Sequence, residues 1–361
     1  MIHPLTQPTQ IEALAAHLAT TGQLALDTEF IRERTYFPKL ALVQIGDGRV
    51  EVLIDPLHLP DPGPLRPLLE GPTLKLMHSP GEDLQAFLHG WKLPLGPIFD
   101  TQHAAALCGY GAGKSYQALV AELTGVQLEK GETRSDWLRR PLSESQCEYA
   151  VDDVRHLHMM YAVLDAQLGK LGRHEWLAED CARLVAAAHE DAPEPFPHLA
   201  MRSAQRMDRA AQVRLRRLLL WRDARARTAD RPRGWLLDNE LLVPLAQRSM
   251  SRERFEATLD STSRAPRKGR SRDELWELLT ADLDEIENTM PLAREPESEW
   301  KAPLKAMQSL VAERAAEFNI PEGVLCPRRH LEHLLETRTL PVPMQGWRRQ
   351  VLGEALLSLL P

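Results

Sequence analysis

Cysteine is scarce. The 361 residues hold four, Cys108, Cys147, Cys181 and Cys326, and no two form a Cys-x-x-Cys pair. Neither a disulfide framework nor a cysteine-based zinc site is therefore expected, and a reducing compartment, the cytoplasm, is. No window approaches the roughly 18 uncharged apolar residues that a membrane-spanning helix requires, so no membrane partner is expected. The start, Met1-Ile2-His3-Pro4-Leu5-Thr6, lacks a basic segment followed by an apolar one, and secretion is not expected either. No fixed-period repeat is visible. Of the 13 histidines, His156 and His158 lie two apart in a helical pattern and do not share a face, so a histidine metal site is not indicated.

What is present is an ordinary globular composition, 43% hydrophobic and 26% charged, with ample material for a core. The length calls for two or three domains. Charge is uneven: the chain carries −7 overall, yet residues 201–273 hold 19 Lys and Arg against 9 Asp and Glu, or +10, leaving about −17 elsewhere. An acidic body with a basic middle suggests one part that meets phosphates and another that holds cations. A solvated, arginine-rich helix face would give the same count.

Along roughly the first 165 residues, strand and helix signals alternate. Ile11–Leu18 has helical spacing, Asp27 ends a strand, and Leu40–Ile45 and Val50–Ile54 are strands around the turn Gly46-Asp47-Gly48. A short helix at Leu65–Leu69, a strand at Leu74–Met77 and a helix from about Pro80 to His89 follow. This order predicts an α/β domain with helices packed on a mixed sheet. From Tyr116 onward helical patterns dominate, with a helix from about Glu144 to Leu164. Breaks fall at Ala192–Pro197, Ser261–Ser271 and Pro291–Pro303, and the stretches between them read as small all-α domains.

Three signals carry chemistry. In Leu24-Ala25-Leu26-Asp27-Thr28-Glu29-Phe30 an apolar strand presents two acids one residue apart. Side chains two apart in a strand share a face, so Asp27 and Glu29 aim at one spot, and that is costly unless a cation lies between them. Taken alone, the fragment equally fits a strand running out into a polar turn. The second signal is Ser79-Pro80-Gly81-Glu82, which reads as a helix start with Ser79 as N-cap, Pro80 at the first position and Glu82 completing a capping box. Asp83 then sits in the first turn, where the helix dipole favours a negative charge. The third is Tyr149-Ala150-Val151-Asp152-Asp153 in a helix: Tyr149 and Asp153 are four apart and face the same way, whereas Asp152 points about a quarter-turn aside.

In that order, these three elements resemble the exonuclease motifs of the DEDD superfamily in its tyrosine-bearing branch, and most closely the ribonuclease D family. Leu26 to Leu40 looks like that family's first motif and the segment after it, and His78 with Glu82-Asp83-Leu84 looks like the second. Phe99-Asp100-Thr101-Gln102 and Arg134-Ser135-Asp136-Trp137-Leu138 resemble landmarks between the second and third. Cys147-Glu148-Tyr149-Ala150 with Asp153 resembles the third. Residues 206–285 look like an HRDC helical domain, and 295–361 like a second, more divergent copy. Two positions depart from the pattern: Asp152, where a small residue is common, and Ser249-Met250-Ser251, where HRDC domains commonly carry a proline.

The resemblance implies a ribonuclease H-like exonuclease domain over residues 1–170, a linker at 171–204, an HRDC domain at 205–288 and a second HRDC-like domain at 289–361. It implies catalytic residues Asp27, Glu29, Asp83, Tyr149 and Asp153, the four acids holding two Mg²⁺ or Mn²⁺ ions about 3.5–4 Å apart. The implied reaction is 3′→5′ exoribonuclease cleavage that releases nucleoside 5′-monophosphates from precursor tRNA 3′ ends and other structured small RNAs, by a monomer. A DNA-directed exonuclease of the same superfamily and a non-catalytic RNA-binding scaffold are the competing readings. Of Arg206, Arg209, Arg214, Arg216, Arg217, Arg222, Arg225 and Arg227, along one helical stretch, some are expected on RNA phosphates. Trp221 is read as packing. Gly109-Tyr110-Gly111-Ala112-Gly113-Lys114-Ser115 is dismissed as a nucleotide loop, because Cys108 stands where the phosphate-loop motif needs glycine.

Overall fold

A computed structural model describes residues 2–128, 131, 135–247, 250–295 and 298–361. Arg134 of the Arg-Ser-Asp-Trp landmark and Ser249 lie outside the described residues. The chain divides into two compact units: Met1–Ile31 with Pro38–Glu190 and Ser298–Pro361, and Arg32–Phe37 with Asp191–Glu297.

The first unit is built on a five-stranded mixed sheet in the order β3 (Glu51–Ile54), β2 (Lys39–Gly46), β1 (Gln23–Ile31), β4 (Leu74–Met77) and β5 (Ile98–Asp100). Helix α1 (Pro8–Leu18) leads into β1 (Gln23–Ile31), and its Ile11, Leu14, Ala15 and Leu18 are buried at the spacing seen in sequence. β1 pairs antiparallel with β2 (Lys39–Gly46), which pairs antiparallel with β3 (Glu51–Ile54). After the short helix α2 (Arg66–Glu70), β4 (Leu74–Met77) adds parallel to β1, and β5 (Ile98–Asp100) adds parallel to β4. Helix α3 (Gly81–Gly90) makes the crossover between these two parallel strands. Leu24, Ala25 and Leu26 of β1 are all buried, as befits a central strand covered on both faces.

Helices α4 (Thr101–Leu107), α5 (Tyr116–Thr124), α6 (Glu144–Arg155), α7 (Leu157–Leu171) and α8 (His174–Glu190) follow. The single helix expected from Glu144 to Leu164 is in fact two, interrupted at His156. The expected linker at 171–204 is also altered. Residues 174–190 are α8, which buries Leu177, Cys181 and Ala188, and the stretch from Asp191 onward holds only two short 3₁₀ turns, Pro197–Ala200 and Arg202–Arg206.

Residues 298–361 share a core with the sheet. Leu304, Met307, Val311, Leu331 and Leu334 belong to the same buried cluster as Leu24, Leu164 and Leu168. Trp347 stacks on Trp176 with centroids 4.3 Å apart and planes at 7°. Below them the carboxylate of Asp180, with a side chain 9% exposed, accepts from Arg348 Nη1 at 2.6 Å and Trp347 Nε1 at 3.2 Å. His103 and Arg183 also contact it.

Among the described residues the regular structure of the second unit is helical, and Arg32–Phe37 joins it as a non-helical stretch. Its longest helix, α9 (Arg209–Ala229), buries Leu215, Leu218 and Leu219 against Leu241, Leu245, Phe255 and Leu275. Trp221 packs on this cluster, as expected. The arginines along and just before this helix, some of them expected on RNA phosphates, each have a partner within the unit. Arg217 clamps Glu287 from Nε at 2.7 Å, Arg214 donates to the Ala246 carbonyl, and Arg209 to those of Glu287 and Met290. Arg216 reaches the Pro195 carbonyl, Arg222 the Asn239 amide oxygen, Arg225 pairs with Glu274, Arg206 with Glu295, and Arg227 with Asp191 and Asp223. In the short stretch, the Tyr36 hydroxyl donates to Asp223 at 2.8 Å and the Tyr36 amide to Asp230 at 3.0 Å. The local excess of positive charge is thus largely used to hold short helices together.

Candidate active site

Beyond its pairing with β4, β1 presents Asp27 and Glu29 opposite Gln44 and Leu42 of β2, and the strand runs on to Ile31 instead of ending at Asp27 because β2 continues to pair with it. The register slips between Glu29 and Phe30, a bulge that bends the strand directly after the second acid. Both acids are half-buried, while Thr28 between them is 6% exposed.

Asp83 comes from the first turn of α3 and is 8% exposed. Its carboxylate accepts from the Thr28 hydroxyl, which ties the helix start to the strand acids. The expected Ser79 cap is not what begins this helix. Ser79 is left-handed, at φ 57°, its amide donates to Asp100 Oδ1 at 2.9 Å, and α3 starts at Gly81 without a side-chain cap. Asp100, twenty-one residues away, thus sets the turn, and the same oxygen accepts from the Gln102 amide to cap α4. His78 completes the corner by bridging the Thr101 hydroxyl at 2.9 Å and the Lys114 carbonyl at 3.0 Å.

Tyr149 and Asp153 lie one turn apart on α6, whose start is a Ser143–Gln146 capping box. Asp152 is turned to Arg155, so of the two adjacent acids it is Asp153 whose charge reaches the others. The Tyr149 ring lies 6.1 Å from that of buried Trp137. A Cβ on Gly131 would fall 1.7 Å from Tyr149 Cδ2, so glycine is needed where that backbone meets the ring. Arg140 fastens this wall, donating from Nε to Asp55 Oδ2 at 2.7 Å and from Nη2 to the Ala41 carbonyl at 2.6 Å.

The four acids share one field. Burial first, then the charges of Asp83, Asp153 and Glu29, holds Asp27 well above the ordinary carboxylate range. Burial and the charges of Asp153 and Asp83 push Glu29 up to about 9. Asp83 is raised to about 6, mainly by burial, although the Thr28 hydroxyl pulls it back, and Asp153 is raised to about 7 by burial. Tyr149 is also raised, by burial and then by Asp153, Glu29 and Asp27. Carboxylates converging with no opposite charge between them resist ionising together. Among the described residues no three His, Cys, Asp or Glu side chains are already drawn about a single point. Four hard oxygen donors whose ionisation a cation would favour nonetheless suit Mg²⁺ or Mn²⁺.

Sequence reasoning passed over Thr28, Gly131, Arg140 and Tyr116. Thr28 lies inside the Asp-x-Glu motif and could have been noticed. The other three act across 18 to 99 residues and leave no local signal. The glycine-rich loop is not a phosphate site: Lys114 pairs with Glu122, the Lys114 carbonyl is held by His78 and Gln102, and Ser115 caps α5.

A mixed sheet whose central strand carries two acids, with a tyrosine-bearing helix beside it, fits a 3′→5′ exonuclease domain. The family model described as 3′-5′ exonuclease matches residues 2–169, and enzymes of this DEDD type use divalent metals. The chain is 46% identical to the ribonuclease D of Xanthomonas oryzae pv. oryzae over 366 residues, covering 100% of this chain and 99% of that one. It is 37% identical to the ribonuclease D of Pseudomonas paraeruginosa, with 94% and 93% covered. The crystal structure of Escherichia coli RNase D, described as an exoribonuclease involved in structured RNA processing, superposes with a TM-score of 0.83 at 28% identity, covering 99% and 98% of the two chains. The chain belongs to the ribonuclease D family and is a 3′→5′ exoribonuclease.

Proposed function

We propose that Asp27, Glu29, Asp83 and Asp153 hold two divalent cations, Mg²⁺ or Mn²⁺, and that Tyr149 works on the attacking water. The observation carrying this reading is that each of the four carboxyls is raised by burial, with the other site acids adding their repulsion at Asp27, Glu29 and Asp153. When bound, the cations supply Lewis-acid activation of water and charge stabilisation at phosphorus. The protein's own part is to position. Thr28 holds Asp83 by its hydroxyl, and Trp137 packs beside the Tyr149 ring. A phenol is ordinarily neutral near pH 7, so Tyr149 acts first as a hydrogen-bond partner that orients the water or helps take its proton. The proposed substrates are the 3′ trailers of precursor tRNA and other structured small RNAs in the cytoplasm, cut to nucleoside 5′-monophosphates by a monomer. Residues 205–288 are assigned as an HRDC-type module that meets RNA, and 289–361 as a second HRDC-like segment whose helices from 298 onward share the sheet's core.

The test is incubation of purified protein with 3′-labelled RNA and DNA in Mg²⁺, Mn²⁺ or EDTA. RNA should yield 5′-monophosphates with either metal and none with EDTA; cleavage in EDTA, or of DNA alone, contradicts the reading. Tyr149→Phe should leave slow residual cleavage, reduced by about 10²–10⁴-fold, the range for a positioned proton-handling group. Wild-type rates in that variant remove Tyr149 from the mechanism.

A further inference from the structure

Tyr116, outside every motif of the site, holds the interruption between α6 and α7. Its hydroxyl donates to the Asp152 carbonyl at 2.8 Å and accepts from the His156 amide at 3.2 Å. A helix end leaves carbonyls and a following helix leaves amides without partners inside the helix. This one hydroxyl takes one group of each kind, at the junction that separates α6 from α7. Its ring is 8% exposed and meets His78 edge-on, with centroids 5.7 Å apart and planes at 74°. His78 is in turn fixed to Thr101 and to the Lys114 carbonyl. The anchor therefore runs from the end of β4 to the backbone flanking Asp153.

We propose that Tyr116 is a positioning residue for metal binding: by stopping α6 just after Asp153, it sets the angle at which that carboxylate enters the acidic cluster. Without the hydroxyl, the Asp152 carbonyl and the His156 amide lose a shared partner, and α6 can extend toward α7. Continued winding would turn and shift the chain at Asp153 and draw its oxygens away from Asp27. The inference rests on the reading of Asp153 as a ligand.

The test is Mn²⁺ binding to the metal-stripped full chain, followed by electron paramagnetic resonance, beside RNA cleavage across a Mn²⁺ titration. Tyr116→Phe keeps the ring against His78 and removes only the hydroxyl. It should weaken Mn²⁺ binding by about tenfold, the scale of one to two hydrogen bonds, with KM for RNA unchanged and kcat recovering at high Mn²⁺. Leu119→Ala, in the same helix and fully buried, lowers stability without touching the hydroxyl and should bind Mn²⁺ normally. Normal Mn²⁺ binding by Tyr116→Phe, or equal weakening in Leu119→Ala, overturns the inference. Asp153→Asn separates the two levels: if it binds Mn²⁺ and cleaves like wild type, the ligand reading itself has failed.

Discussion

Asp27→Ala and Asp153→Asn, each alone, should abolish monophosphate release from RNA while the protein remains folded. The expected fall is at least about 10²–10³-fold, the scale for removing one preorganised electrostatic group from an active site. The reason lies in the position of both acids. Asp27 feels Asp83, Asp153 and Glu29, while Asp153 adds its charge to Asp27 and Glu29. Losing either removes one of the hard oxygen donors of the set. The fold should not suffer, and removing a carboxylate from a repelling cluster lowers its repulsion. Thermal unfolding should therefore occur at or above the wild-type midpoint when no metal is added. Activity near wild type in either variant contradicts the assignment, and so does a marked loss of stability.

The second large effect concerns stability and lies far from the acids. Asp180→Ala should cost about 3–5 kcal/mol, the range for breaking a buried ion pair from one side. It strands Arg348, which is 7% exposed and keeps the Val324 and Leu325 carbonyls and the face of Trp347 as other partners. His103, Arg183 and Trp347 lose an acceptor as well. Hydrogen bonds from His103 and Arg348 hold the Asp180 carboxyl at about 2, against an ordinary 3.8, despite burial acting the other way. A depressed carboxyl contributes stability that is fully present above its unfolded value and is lost as the pH falls. Wild type should therefore lose on the order of 2 kcal/mol between about pH 4 and pH 2 through this group. The variant should lack that part of the acid transition. Chemical denaturation across that range measures both quantities, and a penalty under about 1 kcal/mol refutes the role of Asp180.

Much of the site was legible because its signals are local. Strand periodicity puts Asp27 and Glu29 together, and helical spacing joins Tyr149 to Asp153. Where the reading failed, distant partners decided the local geometry. Ser79 looks like a helix cap, but Asp100 takes its amide and turns it left-handed. The run from Glu144 to Leu164 has no proline or glycine to end it, and Tyr116 marks the break from another helix. Composition likewise cannot show that Glu287, Glu274 and Asp191 pair with Arg217, Arg225 and Arg227. Residues 298–361 read as a free-standing module because their apolar positions fit a small core as well as a shared one.

A crystal of the full chain soaked in Mn²⁺ tests the central claim most directly. Anomalous scattering should reveal two ions bound by the carboxylate oxygens of Asp27, Glu29, Asp83 and Asp153, with Asp152 still on Arg155. Those oxygens left without an ion at millimolar Mn²⁺, or an ion bound by Asp152 in place of Asp153, would contradict it.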